Sequence, residues 1–153
     1  MLAVIWYDVT RYIIPNWLVG MMLLYYVFAV FTAEDQVLDW KMALVGACIV
    51  LAVGYVVFML RMMGAGDIKL ISACALWVGY NNLPDFLITV GMCGGLLAVI
   101  IWCLRKALPF MLSPAKVSSL PRILCDREDV PYGVAIAFGF LMMMWGREVP
   151  AIG

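Results

Sequence analysis

Residues 42–60 read MALVGACIVLAVGYVVFML, nineteen residues without a charge, and residues 61–70 follow as RMMGAGDIKL. At about 1.5 Å per residue the first stretch makes a helix of roughly 28 Å, close to a bilayer hydrocarbon core of about 30 Å. Working outward, the runs 17–33, 86–104 and 131–146 have 17, 19 and 16 residues and are equally apolar. As helices they measure about 24 to 29 Å, so each is long enough to span. A fifth run, 68–82, is shorter and carries Lys69 near its start, yet LISACALWVG continues the apolar pattern up to Tyr80, Asn81, Asn82 and Pro84. It is predicted to be a helix as well.

The first seven residues, MLAVIWY, are apolar but reach only about 10 Å as a helix. They look like the last two turns of a first helix, placed at 1–12. Either the native start lies upstream of Met1 or the stub enters the membrane without crossing it. A cleavable signal peptide is not expected, because no basic n-region and no small-residue cleavage site precede Asp8.

Composition agrees with these runs. Of 153 residues, 67% are hydrophobic and 13% charged, and the mean hydropathy is +1.04. A soluble domain of this size exposes too much surface to hide two thirds of its residues. The expected fold is therefore all-α, a polytopic transmembrane bundle of about six helices forming a single integral membrane domain over 1–153. The chain has no histidine, which excludes imidazole-based triads and histidine-ligated zinc. The five cysteines form no C-x-x-C pair and are read as apolar packing residues. Catalysis must then rest on carboxylates, lysines or thiols. No cofactor, metal or nucleic-acid partner is expected.

Net charge is zero, but its distribution is informative. Alternating sides across the predicted spans places Arg11, Arg61, Lys69, Arg105, Lys106, Lys116, Arg122 and Arg127 together, against Lys41 and Arg147 opposite. Eight against two makes the first side cytoplasmic by the positive-inside rule. The far side carries Glu34, Asp35, Asp39 and the turn at Asn81 and Asn82. A cytoplasmic loop is predicted over 105–130, with three prolines, five basic residues and apolar Phe110, Met111 and Leu112. It either lies on anionic lipid headgroups or guides a substrate.

An ionisable residue beside a span is a functional candidate. Asp67 lies in Met63-Gly64-Ala65-Gly66-Asp67-Ile68-Lys69, directly after the span 42–60. The two glycines leave the backbone bare enough for an extended peptide to lie beside the carboxylate. The alternative is a tight turn whose aspartate caps the following helix. Hydrolysis by carboxylates needs a pair close enough to share a proton. Asp85, Glu34, Asp35 and Asp39 map to the far face, whereas Asp8 lies two spans before Asp67 and returns to the same side. Asp126, Glu128 and Asp129 share that side but read as a solvated loop. Asp8 is the natural partner, unless it only pairs with Arg11 three residues on. Behind it, Pro15 ends one element and Asn16 is placed to cap the next.

Three blocks in order, Asp8-x-x-Arg11-x-x-Ile14-Pro15-Asn16, Gly64-Ala65-Gly66-Asp67-Ile68-Lys69 and Pro131-Tyr132-Gly133-Val134-Ala135-Ile136-Ala137-Phe138-Gly139, resemble the type IV prepilin peptidase superfamily of GxGD intramembrane aspartic proteases. The likeness is to its short Tad-locus members, the TadV/CpaA-like prepilin peptidases. It implies six helices with Asp8 and Asp67 as catalytic residues at the cytosolic boundary of a bacterial inner membrane. It further implies a prepilin or pseudopilin substrate, cut after a glycine that ends a basic leader, with contact to lipid and to pilus or secretion machinery. Larger relatives carry a cytosolic domain with paired C-x-x-C motifs, associated with N-methylation; this chain has none, so peptidase activity without methyltransferase activity is expected. One departure is the missing bulk of the first helix, which leaves the anchoring of Asp8 in question.

In the expected mechanism one carboxylate takes a proton from water as it attacks, and the other donates toward the carbonyl oxygen and later the amine. A coupled pair titrates as a unit, so roles are not assigned. Gly64, Gly66, Lys69, Arg11, Pro15 and Asn16 are expected to bind substrate or shape the site. Lys69 falls about 200° round the helix from Asp67, which suits it to a lipid phosphate or an acidic substrate residue. The rivals are a non-catalytic scaffold of a pilus or secretion system, in which both aspartates cap helices, and a small proton-conducting transporter. The transporter lacks a charge pathway through the bilayer.

Overall fold

The computed structural model describes residues 1–11, 14–32, 39–111 and 132–146. These form six helices: α1 (Leu2–Arg11), α2 (Asn16–Thr32), α3 (Trp40–Met59), α4 (Ala65–Val78), α5 (Leu83–Met111) and α6 (Tyr132–Gly146), with a single 3-10 turn at Tyr80–Asn82. Among the described residues there is no strand, and the fold is an all-α helical bundle. The expectations for Glu34, Asp35, Lys116, Arg122, Cys125, the 126–129 cluster, Pro131 and Arg147 fall outside the described residues.

Trp40–Met59 and Tyr80–Ala107 are long and apolar enough to cross a membrane, yet only 22% and 17% of their most apolar windows are buried in the protein. A core helix of a soluble protein of that hydropathy is mostly buried. Here Val45, Ile49, Val53 and Val56 of α3 and Met92, Leu96 and Val99 of α5 face outward. Such a surface is stable against lipid and not against water. The chain is a membrane protein.

The centre of the bundle is α4. Eight of its fourteen residues are buried, among them Ser72, Ala73, Cys74 and Ala75. Small side chains in succession let neighbours pack close from several directions, and α2, α3, α5 and α6 all contact this helix. The Ser72 hydroxyl donates to the Ile68 carbonyl at 2.7 Å, so the buried polar group is satisfied within the helix. Gly54 on α3 faces Ile68; a Cβ at residue 54 would lie 2.6 Å from Ile68 Cγ2. Trp77 stacks on Tyr25 and meets Tyr26 edge-on, joining α2 to α4. Phe86 meets Phe140 edge-on, joining α5 to α6.

Three boundaries differ from the sequence expectations. The fifth run, expected at 68–82, is helical from Ala65 and ends at Val78, where Gly79 at φ +78° breaks the helix before the 3-10 turn. Its start moves upstream because Gly64 is the N-cap and the G-A-G-D segment forms the first helical turn. Residues 105–111, expected to open the cytoplasmic loop, are helical instead, since α5 runs through Arg105 and Lys106 to Met111. Lysine and arginine are good helix formers, and the Lys106 ammonium lies 4.2 Å from the Trp102 ring centroid one turn back. The apolar run therefore ends before the helix does. Of the cysteines expected to pack inside, Cys74 is buried, but Cys48 and Cys103 are exposed on the outer surface.

At its C-terminal end α3 turns sharply. The Arg61 N–H donates to Phe58 O at 2.8 Å and the Met62 N–H to Val57 O at 3.2 Å, with Arg61 at φ +57°. This is a Schellman cap with arginine where glycine is usual. It delivers the chain into the Gly64–Asp67 segment.

Candidate active site

Asp67 sits at the third position of α4, three residues after the N-cap Gly64. A carboxylate there reaches back to the N-cap N–H, half of a capping box. The Gly64 N–H faces the Asp67 carboxylate, and a Cβ on Gly64 would stand 3.2 Å from Oδ2. The capping reading of Asp67 is thus met in a modified form: glycine is the cap residue and the aspartate answers it from inside the first turn.

Asp8, three residues before the end of α1, is 4% exposed. Its Oδ2 accepts the Val134 N–H at 2.9 Å, and the Gly133 N–H faces the same carboxylate. Both donors belong to the first turn of α6, whose N–H groups have no partner within their own helix. These donors anchor Asp8 to α6. The ion pair with Arg11 considered above is replaced by other contacts, with the guanidinium 5.8 Å from the Tyr7 ring centroid. Tyr7 in turn meets Trp17 edge-on.

Ile14, in the link from α1 to α2, is buried. A Cβ on Gly66 would meet Ile14 Cβ at 3.4 Å, and one on Gly133 would meet Ile14 Cδ1 at 3.1 Å and Asp8 Oδ2 at 2.7 Å. Gly66 therefore lets α4 pack on Ile14, and Gly133 lets α6 close on Asp8. Asn16 does not cap α2 as expected. It is the first helical residue, and its Oδ1 accepts from Lys69 Nζ at 3.2 Å, so Lys69 ties α4 to α2 on the exposed side. Pro15 precedes α2 and its carbonyl accepts the Leu18 N–H at 3.0 Å.

Asp8 and Asp67 lie outside the long and the shorter apolar helices. Burial pushes the Asp67 carboxyl up to about 6, the Asp8 charge adds to that, and the Gly64 N–H opposes it. Burial also raises Asp8, against the pull of the Val134 and Gly133 N–H groups. A carboxyl that senses a neighbouring carboxylate's charge, as Asp67 senses that of Asp8, favours a state with one proton between the two. Such a state holds one proton donor and one proton acceptor. Among the described residues no three His, Cys, Asp or Glu side chains gather as metal ligands. An apolar groove of about 610 Å³ opens between α3 and α4, lined on α4 by Ala65, Ile68 and Lys69. Those positions lie on the face of α4 away from Asp67, so the groove is distinct from the carboxylate site.

The family model for the type IV leader peptidases matches residues 1–99. The chain belongs to the type IV leader peptidase family. Membership makes it a protease of the leader-peptidase kind, and the matched residues hold both aspartates and the glycines before Asp67. Curated proteins and solved structures yielded no match. The first turn of α6, which holds Asp8, lies beyond the matched span. Sequence reasoning quoted Gly133 and Val134 as part of the third block and assigned them no role. The signal there was the glycine following Pro131 and Tyr132 at the start of an apolar run.

Proposed function

We propose that this leader peptidase is an aspartic endopeptidase that cleaves type IV prepilins or pseudopilins of the Flp/Tad kind, with Asp8 and Asp67 as its catalytic pair. The carrying observation is that Asp8, buried near the end of α1, and Asp67, half-buried in the first turn of α4, come close enough for the Asp8 charge to favour a proton on Asp67. One carboxylate accepts a proton from the attacking water and one carboxyl donates toward the scissile carbonyl oxygen, with no covalent intermediate. Gly64 and Gly66 leave room for an extended substrate backbone. Arg11, Lys69, Pro15 and Asn16 are assigned further site-shaping roles, Lys69 through its bond to Asn16 Oδ1 at 3.2 Å.

In this reading the whole chain, 1–153, acts as one multi-pass domain of a bacterial inner membrane, with the pair on the cytoplasmic side. The bias of basic residues supports that orientation. A prepilin leader stays on the same side, next to the pair. Membrane lipid and pilus or secretion machinery are the further partners. Methyltransferase activity is not expected, because the chain lacks the paired C-x-x-C motifs of larger relatives.

The second reading is a non-catalytic assembly subunit, and one observation favours it: each carboxylate also satisfies a helix N-terminus, Asp67 at α4 and Asp8 at α6. Asparagine preserves capping but not proton transfer. Co-expression with a prepilin from the same genome, scored by gel shift and mass spectrometry, therefore separates the two. Cleavage after a glycine by wild type and by neither Asp8→Asn nor Asp67→Asn is the expected result, with an unmethylated new N-terminus. Equal processing by all three proteins overturns the peptidase assignment of this pair.

A further inference from the structure

We propose that the first turn of α6 gives the two carboxylates fixed roles, holding Asp8 as the acceptor of the water proton and leaving Asp67 as the donor, with Gly133 and Val134 as positioning residues. The inference rests on the peptidase reading above and adds what that reading leaves open.

The geometry is asymmetric. Both carboxylates lie at the positive end of a helix, but Asp8 has two backbone donors, its Oδ2 taking the Val134 N–H at 2.9 Å and facing the Gly133 N–H. Backbone donors of this kind favour the ionised carboxylate. Asp67 faces one backbone donor, Gly64, and beyond it the negative charge of Asp8. When the pair holds a single proton, that proton resides on Asp67. Among the described residues the elements around Asp8 bring it no other charge that reverses this order. Tyr132 is the one titratable residue of α6. Arg11 on α1 lies over Tyr7, and Lys69 on α4 is engaged by Asn16. The α2 helix carries only the phenols Tyr25 and Tyr26.

With these roles the proton count closes. Water oxygen bonds to the scissile carbonyl carbon while its proton passes to Asp8, and Asp67 gives its proton to the carbonyl oxygen, forming a gem-diol. The C–N bond then breaks as Asp8 returns its proton to the leaving nitrogen and Asp67 takes one from a diol hydroxyl. Products are a carboxylic acid and an amine, and both side chains regain their starting states.

Gly133 is required because a Cβ there would lie 2.7 Å from Oδ2 and 2.8 Å from Cγ of Asp8, pushing the carboxylate off its donors. Two variants of the full chain test this. Val134→Pro deletes the N–H in a first helical turn, where proline is tolerated, and the preceding glycine has no Cβ to clash with the ring. Gly133→Ala displaces Asp8. Gly139→Ala crowds the same helix against Val90, 2.8 Å from its Cγ2, away from the pair.

The readout is the pH profile of prepilin cleavage by purified protein. In Val134→Pro and Gly133→Ala the acidic limb, set by Asp8, is expected to move up by about one pH unit, with kcat lower at pH 5 by up to about tenfold and KM little changed. Gly139→Ala keeps wild-type limbs. Wild-type limbs in a folded Val134→Pro protein, or movement of the alkaline limb instead, overturns the assignment. If both α6 variants fail to fold, carboxyl infrared spectra at pH 5 decide: a protonated-carboxyl band lost in Asp67→Asn and kept in Asp8→Asn is expected, and the reverse overturns the proposal. Inactivity of both Asn variants with wild-type limbs in Val134→Pro sinks this inference alone; activity in both Asn variants sinks the peptidase reading.

Discussion

Asp8 of α1 and Val134 of α6 are joined by an N–H···O bond of 2.9 Å across 126 residues of sequence. That bond closes the bundle around the carboxyl pair, because α6 also packs on α4, the helix that carries Asp67. The first and last described helices thus meet at the site, and helix α4 between them supplies the second carboxylate.

Replacing either aspartate by asparagine is expected to reduce prepilin cleavage by about 10² to 10⁴ without loss of the folded protein, the usual weight of a positioned acid or base. Size-exclusion behaviour of the purified variants checks the fold, and mass spectrometry of the leader checks the activity.

Cleavage measured as kcat/KM is expected to decline above about pH 6, roughly tenfold per unit, because Asp67 must carry its proton to act as donor and burial with the Asp8 charge holds it at about 6. A profile flat from pH 5 to pH 8 would show that neither limb belongs to this carboxyl.

The same shift has a consequence for stability. The folded state holds Asp67 at about 6, above its ordinary 3.8, so folding favours the protonated form. The stabilisation is full below about 3.8, fades as pH rises to about 6 and is absent above. Asp67→Asn is therefore expected to raise the thermal midpoint relative to wild type at pH 8 and to change it little at pH 4. A thermal scan in detergent at both values checks the sign.

Gly54 allows α3 to reach α4 at Ile68, the neighbour of Asp67. Gly54→Ala is expected to cost about 1 to 3 kcal/mol by overpacking. Adding Ile68→Ala should recover part of that loss, since the clash is with a side chain. Denaturation of the two single variants and the double variant measures the coupling.

Arg61 occupies the left-handed position of the α3 cap at φ +57°. Arg61→Gly is expected to stabilise the turn by about 1 kcal/mol through relief of the Cβ clash. An unchanged thermal midpoint would mean that the arginine side chain compensates elsewhere.

Much of this was legible in the chain. Long uncharged runs such as 42–60 declare helices because only an intrahelical ladder satisfies the backbone in lipid, and counting spans brings Asp8 back to the side of Asp67. Boundaries were less legible. The G-A-G-D segment reads as a loop by propensity but forms the first turn of α4, since that turn buries Ile68 against Gly54. Lys69 reads as an outward charge on its own helix, yet Asn16, 53 residues earlier, meets it.

The solvent of this protein and its helical class follow from one-dimensional patterns of hydropathy, and the choice of Asp8 and Asp67 as candidate carboxyls follows from the absence of histidine and the order of charges between apolar runs. The partners of those carboxyls do not. A backbone N–H is common to nearly every residue and leaves no mark in a side-chain pattern, so which amide meets Asp8 depends on where α6 packs. Packing against α1, α4 and α5 selected Val134 and required glycine at 133, because any Cβ there would occupy the space of the carboxylate itself.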